Sequence, residues 1–220
     1  MKSSIIIFLK DWKSELRTRY SVNSLAMFIL VAISVILFSV KDEPLSPYLT
    51  AGLLWTVVFF SAMSGLSRTF VSEEERGTFL ILQIIAKPLN VFSGKLLFNT
   101  LLVFLMNFVI TLLFSLLFSA FIIKNIYLFT AVFLLGNFGI AISSTIIAAI
   151  ISKAGAKGTL YPVLSFPVLL PLILILSELT NFSIDGKTFE ESFAEILIII
   201  CYDVIMLTAS VMLFDFIWKD

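Results

Sequence analysis

The chain reads as an all-α membrane protein of six transmembrane helices, with both termini on the cytoplasmic side. Six long apolar runs fill most of the 220 residues. Each is about as long as the roughly 20 residues a helix needs to cross a hydrocarbon core of about 30 Å. Hydrophobic residues make up 60% of the sequence and charged ones only 14%, far from ordinary globular usage. The charges collect in the short segments between the runs. Lipid offers no partner for a free backbone amide, so the runs must be helices and not open strands.

The spans are expected at residues 22–40, 47–67, 94–123, 126–152, 159–177 and 193–217, forming a single transmembrane domain over 1–220. Counting Lys and Arg by side gives the orientation. With the N-terminus inside, twelve of these residues are cytoplasmic and only Lys41, Lys124 and Lys187 lie outside, a strong positive-inside bias. The outer connections at 41–46, 124–125 and 178–192 are short or acidic, and the third leaves open whether it dips into the membrane or lies flat on it. Residues 1–20 lack the long apolar core and small-residue cleavage site of a signal peptide, so the segment is expected to be retained. Its Ile5, Phe8, Leu9, Trp12 and Leu16 recur at helical spacing, opposite Lys10, Lys13, Ser14 and Arg17. That is an amphipathic helix suited to the membrane surface, either a plain anchor or an elbow that passes motion to the first span.

The connection between spans two and three carries more information. Ser72 followed by Glu75 makes a capping box, and Glu73, Glu74 and Glu75 suit the positive end of a helix dipole. Lys87 and Pro88 form a stop. A cytoplasmic helix is therefore expected over 72–88, with Glu73, Arg76, Gln83 and Lys87 near one stripe. It is either a solvated surface helix or a docking element for a soluble partner.

Several chemistries are excluded. The sequence has no histidine, which removes Ser-His-Asp and Cys-His catalysis, His-ligated zinc and a His-ligated heme supplied by this chain. Cys201 stands alone and reads as a small buried apolar residue. Gly94-Lys95 lacks the first glycine and the Ser/Thr of a phosphate loop, and reads as an ordinary membrane-edge pair. No cofactor, metal or catalytic residue is expected on this chain. Asp203 is the clear ionisable residue within a span, and a packing or gating role fits it better than a proton relay. Asn99, Asn107 and Asn137 are expected to bond between helices. Ser61 with Gly65, and Ala141 with Thr145 and Ala149, supply small-residue spacing for close helix approach. Pro162, Pro167 and Pro171 should kink or break span five.

The chain resembles the CcmB family, heme exporter protein B of cytochrome c maturation. The resemblance spans nearly its whole length. It rests on Glu15-Leu16-Arg17-Thr18-Arg19 with Asn23-Ser24, on Gly52-Leu53-Leu54-Trp55, and on Gly65-Leu66-Ser67-Arg68-Thr69-Phe70 leading into the acidic turn. It continues with Gly94-Lys95-Leu96 and Asn99, Phe166-Pro167-Val168-Leu169-Leu170-Pro171, Asp203-Val204-Ile205 and Leu213-Phe214. One departure is the wholly apolar Phe79-Leu80-Ile81-Leu82 after Gly77-Thr78, with its late Pro88. The resemblance implies an ABC-2 type permease with an N-terminal elbow helix and a coupling helix between spans two and three. It implies a second copy of the chain, a CcmA-like cytoplasmic ATPase that holds the ATP, CcmC-like and CcmD-like membrane subunits, and a CcmE-like heme chaperone. Heme would be handled by a partner, in the bacterial inner membrane, and no nucleic-acid partner is expected. Ser72, Glu73, Glu74, Glu75, Arg76, Gly77, Gln83 and Lys87 would form the ATPase contact. Asp203, Asn99, Asn107, Pro167 and Pro171 would serve gating or packing. A generic exporter half for a drug, lipid or glycan, and a non-transporting assembly scaffold, are the alternative functions.

Overall fold

Helix α1 (Lys2–Thr18) leads into α2 (Tyr20–Val40) and α3 (Pro47–Leu66). A short α4 (Phe79–Ile85) precedes α5 (Pro88–Leu117), α6 (Ile126–Lys153), α7 (Tyr161–Asp185) and α8 (Phe193–Lys219). This computed structural model describes residues 2–40, 45–71, 73, 77–153 and 160–219. Among them there is no strand, and six helices are long and apolar enough to cross a membrane.

Local chemistry sets the boundaries. Arg19 takes a left-handed φ of 51°, which ends α1 and turns the chain into α2. The Glu15 carboxylate accepts the freed amide of Val22 at 3.0 Å. Ser46 caps α3 by accepting from the Leu49 amide at 3.2 Å, with Pro47 at the first helical position, where a missing N–H costs nothing. Gly186, at φ 86°, closes α7 by donating to the Phe182 carbonyl.

The helix expected over 72–88 is instead interrupted. Gly77 is a turn at φ 65° and Thr78 is non-helical, so only Phe79–Ile85 forms α4. Proline at 88 ends one helix and begins the next, because its lost N–H is tolerated in a first turn. Span three therefore starts at Pro88 and ends at Leu117, earlier at both ends than the 94–123 expected. Span five was expected to stop at 177 and to kink or break. Helix α7 runs on to Asp185 as one helix, with Pro167 and Pro171 inside it. Cys201 is exposed, on the outside of the bundle, and not buried as expected.

Helix α6 is the hub, packing on α3, α5, α7 and α8, while α2 leans mainly on α3. In lipid such packing rests on close approach and shape. Gly136 shows it: a Cβ there would lie 2.6 Å from Leu176 Cδ2 and 3.0 Å from Trp55 Cη2. Gly65 likewise receives Leu25 of α2, 2.6 Å from where its Cβ would be. Replacing Gly136 with Leu should lower the thermal midpoint in detergent, at the scale of core overpacking, about 1–3 kcal/mol. Gly52→Ala is the control, since its added Cβ meets only Ser177 Oγ at 3.7 Å. An equal loss in both variants would refute the argument.

Candidate functional site: a buried charge cluster at the end carrying both termini

Lys95 is the one charged residue in the thirty of α5. It sits about 10 Å above the helix start, at 1.5 Å per residue, and is only 2% exposed. A helical side chain leans toward its helix's N-terminus, which carries this ammonium back down to the end of the bundle. There it makes a 3.1 Å hydrogen bond to the Thr69 carbonyl and a 2.9 Å bond to Glu73 Oε1. Asp11 Oδ2 of α1 lies 3.0 Å away, an ion pair rather than an aligned hydrogen bond. Two hydrogen bonds and one ion pair thus surround the ammonium, which has three N–H donors. The Phe70 ring adds a face 5.6 Å from the nitrogen.

Glu73 is the other centre. Its Oε1 also takes a short hydrogen bond from Lys10, and Thr78 donates to Oε2 at 2.6 Å. Two cations, Lys10 and Lys95, thus meet two anions, Asp11 and Glu73, in one neutral group. Asp11 and Glu73 are 8% and 6% exposed. Burial alone would raise the Glu73 pKa, but Lys95 with the bonds from Lys10 and Thr78 prevails and lowers it to about 2.

Helix α1 docks by an unexpected stripe. Ser4, Ile7 and Asp11 are buried, while Ile5, Leu9 and Leu16 face away from the bundle. Ser93 of α5 donates to Ser4 Oγ at 2.8 Å. Gly94 allows the contact, because a Cβ would lie 2.8 Å from the Ser4 carbonyl oxygen. Gly94-Lys95 is thus the docking point of α1, not an ordinary membrane-edge pair.

The 67–87 connection has a second tether. Gln83 donates to the Trp218 carbonyl of α8 at 2.8 Å. Beside it Phe214 lies 5.7 Å from Phe70, 5.2 Å from Phe92 and 5.3 Å from Trp218, ring to ring. Glu73 and Gln83 do not share a helical stripe, and Glu73 is turned inward. Ile84 and Ile85 are 86% and 79% exposed, with Gly77 and Lys87 also outward. Ser72, Glu74, Glu75 and Arg76 lie outside the described residues.

Deeper in the bundle, Asn99 donates to Thr145 at 2.8 Å and accepts from Thr69 at 3.2 Å. Asn107 donates to Asn137 at 2.7 Å. Trp55 and Thr180 join α3 to α7 at 2.8 Å. The Tyr202 hydroxyl donates to the Val168 carbonyl at 3.0 Å, in the turn that Pro167 and Pro171 loosen, and accepts from Ser143 at 2.9 Å. Next to it Asp203 lies against Gly139, where an added Cβ would collide with Oδ1. Neither Asp203 oxygen has a hydrogen-bond partner among the described residues. The structure does not bring Asp203 near the charge cluster. No group of three or more His, Cys, Asp or Glu able to hold a metal occurs among the described residues.

The sequence reading missed Lys95 and Asp11. The available signal was a lone lysine well inside an apolar helix, which demands a buried anion, and an aspartate one turn from Ile7.

A comparison with protein families matches the CcmB protein family over residues 2–216. A comparison with curated proteins found no match. The chain belongs to the CcmB family, the permease component of the heme exporter in cytochrome c maturation, and its six apolar helices mark a multi-pass membrane protein.

Lys95→Met should cost about 3–5 kcal/mol, since it leaves two buried carboxylates with only Lys10 to neutralise them, and adding Glu73→Gln should recover most of it. Thermal unfolding in detergent reads both. The Glu73 pKa is lower folded than unfolded, so its contribution is full above about pH 4.5 and is lost as pH falls toward about 2. The acid loss of stability should therefore be shallower in Glu73→Gln; an unchanged acid limb would rule this out.

Proposed function

We propose that this CcmB family member couples ATP hydrolysis by a separate, CcmA-like ATPase to delivery of heme to a periplasmic CcmE-like chaperone. It acts in the bacterial inner membrane beside a second copy of itself and CcmC-like and CcmD-like subunits. The observation that carries the coupling is the 67–87 connection. It is held inward at Glu73 and Gln83 while Ile84, Ile85 and Lys87 face outward.

The excess of Lys and Arg at the end carrying both termini supports placing that end in the cytoplasm. The ATPase would then meet Gly77, the exposed side of α4 and Lys87, along with the acidic sequence of Ser72, Glu74, Glu75 and Arg76. Glu73 serves as the internal anchor of that surface and not as its face. Energy for the cycle comes from the partner, because no phosphate loop occurs in the sequence. Heme ligation also falls to partners, in keeping with the absence of histidine. This chain supplies the moving membrane part. Asp203 and the Tyr202 bonds sit where α6, α7 and α8 meet, a seam suited to gating.

Purification from the native host in mild detergent tests the reading. It predicts co-purification of an ABC ATPase and a heme-bearing membrane protein with its visible absorption band. An ATPase without any heme protein would favour a generic exporter half. Within the complex, Ile84→Asp with Ile85→Asp should strip the ATPase from a normally inserted chain, measured by ATPase recovered per chain. Full recovery would move the contact elsewhere.

A further inference from the structure

We propose that Lys95 is the positioning residue that joins the 67–87 connection to α1, so that displacing the connection moves α1 and the foot of α5 with it as one body. The inference rests on the reading of that connection as the ATPase contact. It goes further by naming what the connection pulls on.

Helix α1 packs chiefly on α5 and much less on α2. Its link to the connection runs through side-chain charges. Lys95 stands on α5, bonds the connection at Thr69 and Glu73, and pairs with Asp11 of α1. Lys10 closes the ring from α1 to the same Glu73 oxygen. Lys10 is exposed, but pulling Lys95, Asp11 or Glu73 away would strand a charge in a site almost closed to water, where an unpaired charge is strongly disfavoured. The connection also touches α8, through Gln83 to the Trp218 carbonyl and Phe70 on the Phe214 ring. Movement of the connection carries the elbow helix along through the charged joint. The outward Ile5, Leu9 and Leu16 of α1 then transmit that movement to the membrane surface.

The test uses the full chain as Lys95→Met with Glu73→Gln, which removes one charge of each sign and leaves Lys10 and Asp11 to pair. Hydrogen exchange is measured on the purified protein, and holocytochrome c yield in cells lacking their own copy. Backbone protection at 69–78 and in α1 should fall together, while α6 and α7 keep theirs. Loss in one segment alone, or in neither, overturns the joint. In cells, holocytochrome should fall about tenfold, within the range of residues that modulate coupling, with the ATPase still bound and turning over. Wild-type yield from the folded double variant would also overturn the proposal. If the unaltered chain itself restores no holocytochrome, the cytochrome c reading fails instead, and hydrogen exchange alone decides the joint.

Discussion

An ammonium inside an apolar bundle has to be neutralised where it stands, and the arrangement of this protein's terminal end follows from that requirement. Lys95 enters on α5 and cannot reach water along its own helix. Its neighbours must then supply the oxygen atoms: a carbonyl at Thr69, a carboxylate at Glu73 and another at Asp11. Those demands fix the connection after α3 against the foot of α5 and lay α1 across it. Gly94 makes the crossing close enough. Four charges summing to zero tie three chain segments together, and removing Lys95 leaves two buried carboxylates to the desolvation penalty with only the exposed Lys10 beside them.

The rest of the bundle uses weaker ties. Asn99 with Thr145, Asn107 with Asn137, and Trp55 with Thr180 each join two helices by a neutral bond, worth about 0.6–2 kcal/mol in a membrane. Close approach at Gly136, Gly139 and Gly65 supplies the fit. The contrast has a mechanical meaning. The terminal end is tied by charges, whereas the seam among α6, α7 and α8 is joined by hydroxyls beside an acid, Asp203, that has no hydrogen-bond partner among the described residues. On the proposed coupling, movement entering at the connection would meet the charged joint first.

The all-helical class and the six spans were legible because hydropathy over a span is a sum that single residues rarely overturn. Boundaries resisted where one residue serves two helices. Proline at 88 looks like a stop from one side and is a start from the other. The charge cluster resisted for another reason: its members lie at 10, 11, 73 and 95, and no local pattern links them. Amphipathicity showed only part of α1: Ile5, Leu9 and Leu16 face away from the bundle as a surface helix would place them, but Ser4, Ile7 and Asp11, which dock it, form no apolar stripe. A lone lysine inside an apolar helix was the usable clue, and it was read as an edge residue.

Electron microscopy of the complex with its ATPase, compared between nucleotide-free and ATP-bound states, tests the central claim most directly. The account predicts that Lys95 stays paired with Glu73 and Asp11 in both states while α1 and the connection shift together. A state in which the connection moves and Lys95 parts from Glu73 would contradict it.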